Sequence, residues 1–384
     1  MFKNVSLKGL IYVFFISLYV WIGYRLWYFD NAGNGFILGD WFVNYQDGGF
    51  KRRGLTGSVL FWVQDITGFG LVNMVYAIQM LLHFSLLFFI YKMLEVKRVS
   101  LFYFTLVISP LTFLFFFNDS PMVGRKELIF LNIFAYYLYL VIKDKLTVRK
   151  EVLIYGLLFV ATFLHEITVF YIPYFILAHF LIFKKIDLKR YALFFLSVGL
   201  PAVVIFLFGA KTNEGQTLAI LASRGVELQS YSIFSFTNDL FVQFDKYRNN
   251  VLGYGLYLPS LIIGLLHFGF YVKQETNYNY KRIMLYFFAI IAYSIPLFVL
   301  ACDWGRWLQI HFTLFLLILT FSLPPLSAAK FKSKPILPFL GRNLQYGLLI
   351  LFLSIWSVKH FNSGLSYDGL LTRFFLDLQY YFTH

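Results

Sequence analysis

The sequence predicts an all-α fold, a polytopic integral membrane helical bundle of about eleven transmembrane helices with amphipathic surface helices in its outer loops. Three observations carry this expectation. The 384 residues are 59% hydrophobic, 22% aromatic and only 14% charged. A soluble domain carries about 25% charged residues, so this chain has too little polar side chain to clothe a soluble globule. Apolar runs approaching the roughly 20 residues needed to cross a bilayer recur along the chain, and the basic residues between them alternate from loop to loop.

Runs at 9–27, 70–93, 100–117, 128–142, 152–164, 167–183, 191–209, 254–272, 283–300, 307–325 and 345–360 give the eleven spans, within one transmembrane domain covering 1–384. The flank 1–8 is too short, and the first run too aromatic, for a cleaved signal peptide, so 9–27 is read as the first helix. With the N-terminus inside, 20 of the 33 Lys and Arg residues fall in inner loops such as KDKLTVRK and KKIDLKR. Only five acids join them there: Glu95, Asp144, Glu151, Asp187 and Glu275. Positive charge collects on the inner side of membrane proteins, so the net charge of +14 reads as topology, and no nucleic-acid partner is expected. The single cysteine, Cys302, excludes a disulfide scaffold and a Cys-based metal centre.

The chemically distinctive residues fall in the outer segments. The first outer loop, 28–69, contains Asp40 and Asp47 followed by Lys51, Arg52 and Arg53. On a helix the two carboxylates would share one face, about 10 Å apart, although Gly48-Gly49 would break that helix. Three adjacent outer cations oppose the usual charge bias. Phosphate is a natural compensating ligand, since arginine forks match its oxygens; lipid headgroups or the nearby aspartates are the alternative. Further on, Leu55, Val59, Trp62, Val63 and Ile66 repeat at helical spacing and predict an amphipathic helix along the membrane surface.

In the second outer loop, Asp119, Ser120 and Pro121 read as a helix start. Arg125, Lys126 and Glu127 then stand at the outer end of the next helix, where a helix N-terminus attracts anions; a plain Arg–Glu tie is the alternative. His165-Glu166 interrupts an apolar stretch at an outer turn. Position 169 is Val, so no HExxH zinc motif exists. The pair is read either as a polar hinge or as an acid/base pair that orients an acceptor. The largest outer loop, 210–253, carries two amphipathic segments, 217–228 and 235–247, and could cover a site. Its best-placed cation is Arg224; Lys246 and Arg248 read as surface charges. Asp303-Trp304-Gly305-Arg306-Trp307 opens a helix, with Asp303 as cap and Arg306 one turn inside. Such rings and charges suit a sugar, and interfacial anchoring is the alternative. His83, His179 and His267 on apolar helices read as satisfied core residues.

This plan resembles the GT-C membrane glycosyltransferases, which take sugars from polyprenyl-phosphate carriers and place a catalytic aspartate in their first outer loop. The matching positions here are Asp40 and Asp47. The acidic pairs of the best-known members are absent, so the resemblance assigns no metal ligand and leaves a divalent cation as the one cofactor to consider. In length, Phe/Tyr/Leu content and outer arginines the chain is also similar to Wzy-type O-antigen and capsule repeat-unit polymerases. DWGRW and GFKRRGL look like motifs of membrane proteins from surface-polysaccharide and lipopolysaccharide assembly.

Both resemblances imply the same chemistry, with a sugar donor on a lipid (pyro)phosphate and a glycan acceptor as partners in the bilayer of a bacterial inner membrane. Asp47, then Asp40, would act as base. Lys51, Arg52, Arg53, Arg125, Lys126, Arg224 and Arg306 would hold phosphates or substrate, with Asp303 on the sugar, and His165 and Glu166 would position the acceptor. The competing class is a transporter or flippase for lipid-linked or anionic glycans. Its charges should sit at the bilayer midplane in repeated halves, a pattern not seen here. A non-catalytic scaffold would need no such collection of outer charges.

Overall fold

The computed structural model describes residues 6–210, 212–228, 240–326 and 342–383. Their secondary structure is helical, and the β pairings among them are isolated bridges such as Lys51 with Ala210. Among the described residues, six helices are long and apolar enough to cross a membrane: Leu7–Asn31, Leu71–Leu94, Leu188–Phe208, Val251–Glu275, Tyr280–Leu300 and Trp304–Ser322. They mark the chain as a multi-pass membrane protein, but with six such helices rather than eleven.

The remaining apolar runs fold into shorter pieces for local reasons. The run at 100–117 breaks into Leu101–Val107 and Leu114–Asn118. Pro110 cannot continue the helical ladder, and the Thr112 hydroxyl donates to the freed carbonyls of Leu106 at 2.6 Å and Val107 at 2.9 Å. Pro173 restarts the run at 167–183 as Pro173–Phe183 after the single turn Thr168–Tyr171. The 152–164 run lies within Val148–Leu164, whose first turn is charged. The last run ends as a helix at Ile355. The long helices expose apolar side chains outward: Leu196, Leu200, Val203, Phe206 and Leu207 stand on the surface of Leu188–Phe208. Exposed aliphatic faces on such helices are what hydrocarbon solvates.

The chain divides into two compact units. The first comprises Met1–Leu18, Tyr91–Ser120 and Leu240–His384, and the second comprises Tyr19–Ile90 and Pro121–Asp239. In the first, the almost wholly buried Trp304–Ser322 helix forms the centre, with Phe312 and Phe315 packed against Phe268 and Phe287. In the second, one core joins Phe134, Tyr137, Phe175 and Phe194. Another joins Leu38, Trp41, Phe42, Leu60, Phe61, Val75, Leu221 and Val226.

Polar residues in each unit separate to opposite helix ends. In the second unit, Glu151, Arg190 and Asp187 join the start of Val148–Leu164 to the start of Leu188–Phe208. His165 and Glu166 follow the far end of Val148–Leu164 and meet Glu127 and Arg53. In the first unit, Lys8 reaches the Glu95 carbonyl and Lys97 the carbonyls of Phe321 and Leu323 at one end. Asp119, Asp303 and His360 collect at the other end. His83 and His267 are indeed satisfied core residues, held by the Val123 carbonyl and the Thr105 hydroxyl.

Candidate functional site

The site in the second unit begins with a short helix, Gly35–Phe42, capped by the Asn34 side chain. The helix ends at Phe42, so Asp47 is not on it. The shared carboxylate face expected for Asp40 and Asp47 does not form, and the two have different partners. Asp40 is 1% exposed and accepts a hydrogen bond from Arg53 Nη1 at 3.0 Å. Arg53 takes a left-handed backbone, φ 65°, at the N-cap of the Gly54–Thr67 helix. A non-glycine residue there is strained by about 1–3 kcal/mol and persists only where its surroundings impose it. Its side chain bridges two carboxylates: Nε and Nη2 donate to the two oxygens of Glu166 at 2.9 and 2.8 Å. Arg52, 43% exposed, adds a contact of 3.1 Å to the same carboxylate.

Gly57 permits the helix carrying Arg53 to sit close, because a Cβ there would lie 2.4 Å from the Val43 carbonyl oxygen. Three side chains hold the 121–126 segment from the opposite side. Trp41 Nε1 and Gln79 Nε2 donate to the Gly124 carbonyl at 2.7 and 3.1 Å, and His83 lies 2.7 Å from that of Val123. The expected helix start at Asp119–Pro121 is instead a single 3-10 turn, Ser120–Met122, and the helix begins at Glu127. Arg125 stacks over Phe36 at 3.5 Å. His165 Nε2 lies 3.2 Å from Glu127 Oε1, and its Nδ1 accepts the Ile167 amide at 3.4 Å, which places the imidazole proton on Nε2.

Lys126 is fully buried. Its Nζ lies 5.8 Å from the Trp41 ring centroid and has no hydrogen-bond partner among the described residues. Burial pulls its ammonium down to about 8, with Asp40 opposing that fall. The converse holds at Asp40. Burial alone would raise its carboxyl, but Lys126, Arg53, His165 and Arg125 outweigh it and hold the group well below the ordinary carboxylate range. The Glu166 carboxyl, also raised by burial, is held low by Arg52 and Arg53. Burial, then the charge of Arg53, lowers the His165 imidazole, with Glu127 and Glu166 opposing that fall. Four cations, Arg52, Arg53, Arg125 and Lys126, thus face three carboxylates, Asp40, Glu127 and Glu166.

The other predicted residues lie outside this cluster. Asp47 forms a buried ion pair with Lys51 and accepts the Thr217 hydroxyl. The Asn44 side chain caps this turn through the Gln46 and Asp47 amides. This arrangement is a closed latch between the first loop and the Glu214–Ser223 helix. Asp47→Asn is expected to lower stability by about 2–3 kcal/mol by stranding Lys51 in the interior. Adding Lys51→Met should recover most of that loss in thermal unfolding of the purified protein. Arg224 lies over Phe61 at 4.5 Å and pairs with Asp65 at 2.7 Å, so it serves a surface tie. The exposed face of Gly54–Thr67 is the predicted apolar one, with Val59, Trp62 and Ile66 outward. The second amphipathic segment of the large loop is described only from Leu240, as the Leu240–Asn249 helix; 235–239 lie outside the described residues.

Asp303 and Arg306 belong to the first unit. Asp303 makes no capping bond with its side chain and instead accepts Arg306 Nη2 at 2.6 Å, while Arg306 stacks over Trp307 at 4.2 Å. Beside them stands a constellation that sequence reasoning missed. Asp119 accepts His360 Nδ1 at 2.8 Å, and Asp368 pairs with Lys359 and Arg373. Among the described residues no group of three or more His, Cys, Asp or Glu side chains is placed to hold a metal. Comparison with protein-family models, curated proteins and solved structures gives no match.

Proposed function

We propose that the chain is a membrane glycosyltransferase using sugars carried on polyprenyl (pyro)phosphate. It acts on the outer, periplasmic face of a bacterial inner membrane, with its N-terminus cytoplasmic. It serves surface-polysaccharide assembly, as a repeat-unit polymerase of O-antigen or capsule or as a GT-C-type sugar transferase. The observation that carries this reading is Lys126. A buried ammonium with no hydrogen-bond partner, in a cluster where cations exceed carboxylates by one, asks for an anion. The lipid-linked phosphate of the donor has that charge. Placed at a helix end on the side opposite the basic tethers, the cluster matches an outer-face site.

In this reading Arg125 and Lys126 take the phosphate oxygens and stabilise the charge that grows on them as the bond to the anomeric carbon breaks. Arg52 and Arg53 are held by Glu166 and shape the pocket wall. Asp40 balances the cations while the site is empty; when it is filled, the acceptor oxygen bonds to the anomeric carbon as the bond to the lipid phosphate breaks, and Asp40 takes the hydroxyl proton. Asp47 drops out as base because Lys51 and Thr217 already occupy it.

The test is the length profile of lipid-linked and surface glycans after deletion of this chain in its own organism. A surface glycan of single repeats, with complete repeats still made on the carrier, is the result expected of a polymerase. Uniformly truncated repeats identify a single-sugar transferase. Complete repeats trapped on the inner leaflet would replace the enzyme reading with the flippase, and an unchanged profile would overturn both.

A further inference from the structure

We infer that the first unit contains a second ligand site, built by the 356–369 loop against residues 118–119, that takes a neutral, hydroxyl-bearing ligand of the saccharide class. The loop joins the Arg342–Ile355 and Leu370–Thr383 helices and is not itself helical. It is nevertheless tied at almost every step. Ser357 and Ser366 exchange amide–carbonyl bonds at 2.8 and 2.9 Å, the Gly364 amide donates to the Gly253 carbonyl, and the Gly305 amide donates to the His360 carbonyl. Tyr257 Oη and Ser260 Oγ donate to the carbonyls of Lys359 and Gly364 at 3.0 and 2.5 Å. Gly305 and Gly364 allow this contact, since a Cβ at either would lie about 2 Å from the backbone of Lys359 or Tyr257. Irregular backbone at a helix end of a membrane protein is kept where it is buried in protein or lines a cavity, and a loop held this firmly is preorganised for binding.

The charges select the ligand class. Lys359 and Arg373 share Asp368, and Arg306 is paired with Asp303. With Asp119, three carboxylates meet three cations, so this cluster lacks the surplus positive charge of the second unit and does not ask for an anion. What it leaves unanswered is neutral and polar. Asn118 is 2% exposed, and neither its Nδ2 nor its Oδ1 has a hydrogen-bond partner among the described residues. Its own carbonyl accepts Lys359 Nζ at 2.9 Å and also Arg373, which fixes it in the cluster. A buried side-chain amide with both donor and acceptor unmet is uncommon and calls for an explanation. A hydroxyl supplies both needs, accepting from Nδ2 and donating to Oδ1.

Next to it, Asp119 accepts both the backbone amide and Nδ1 of His360. Those two bonds fix the position and orientation of the imidazole beside Asn118. The rings of Tyr254, Tyr257 and Trp304, mutually 5.3–5.9 Å apart, stand at the same helix ends. Aromatic faces beside amide and imidazole groups suit a sugar, with its apolar ring face and hydroxyl edge. Only the choice of a saccharide among hydroxylated ligands rests on the function proposed above.

The experiment uses the full-length protein in detergent micelles. The probe is the neutral oligosaccharide repeat released from the organism's surface glycan, free of phosphate, and binding is read by isothermal titration. Binding to the native protein is expected, with Kd raised at least tenfold by Asn118→Ala and by His360→Phe. The melting temperature of Asn118→Ala should not fall, since that change removes an unsatisfied amide. Inorganic pyrophosphate should not displace the oligosaccharide. The inference is overturned if the repeat does not bind, if binding is indifferent to both substitutions, or if pyrophosphate competes. Binding with these dependences alongside an unchanged glycan profile in the deletion strain would retain this site and remove the transferase reading alone.

Discussion

Arg53→Gln is expected to lower stability by about 3–5 kcal/mol and to abolish function. Asp40 depends on Arg53 Nη1 and Glu166 on Nε and Nη2, and breaking a buried ion pair from one side strands the charge left behind. Glutamine can donate to one carboxylate but cannot span both. Arg53→Lys preserves the charge and is still expected to lose most of the function, because a point charge cannot reproduce the two-pronged contact to Glu166. The left-handed backbone at Arg53 supplies a control. Arg53→Gly relieves roughly 1–2 kcal/mol of strain while removing the same side chain. It should therefore be less destabilised than Arg53→Gln and equally inactive. Thermal unfolding of the three purified variants, beside their glycan length profiles in the deletion strain, separates these effects. Arg53→Gln matching the native protein in both would remove Arg53 from the centre of the cluster.

The sequence carried the residues of this cluster but not its wiring. The adjacent cations at 51–53 and the Arg-Lys-Glu run at 125–127 stood out because outer positive charge opposes the topology rule, and His165-Glu166 stood out because ionisable groups are expensive among apolar neighbours. All but Lys51 meet in the second unit. Which acid takes which base was not legible, because the pairs Arg53–Glu166 and His165–Glu127 span 113 and 38 positions and depend on how helices are placed. Asp47 shows the cost of reading spacing alone. A seven-residue interval suggested a shared helical face, yet the helix stops at Phe42 and Asp47 serves a latch. The count of long spanning helices differs for a related reason: hydropathy does not show that Pro110 and Pro173 divide two of the apolar runs into pieces each shorter than a single spanning helix. His360, Lys359 and Asp368 stayed hidden because they lie after an apolar helix, in a loop whose composition looks ordinary until its hydrogen bonds are traced.

Lys126→Met should make the protein more stable and less active at once. Holding the Lys126 ammonium in the interior draws it from an ordinary 10.5 to about 8, a penalty on the charged form of roughly 3 kcal/mol. Methionine fills the volume without that penalty and leaves three cations facing three carboxylates. A gain of about 1–3 kcal/mol is therefore expected, read as a rise in melting temperature at pH 7. The sign can be checked through pH. A lysine whose folded value lies below its unfolded one binds fewer protons when folded, so native stability should climb as pH rises from about 8 to 10.5. Lys126→Met should lack that climb, and its advantage over the native protein should shrink across the same interval. Function should fall by about 100-fold or more, the usual cost of removing one donor aimed at developing charge. A residue retained against its own stability cost is retained for what it binds. If Lys126→Met is instead less stable than the native protein and keeps full activity, the ammonium is a structural counter-charge for Asp40 and the phosphate assignment falls.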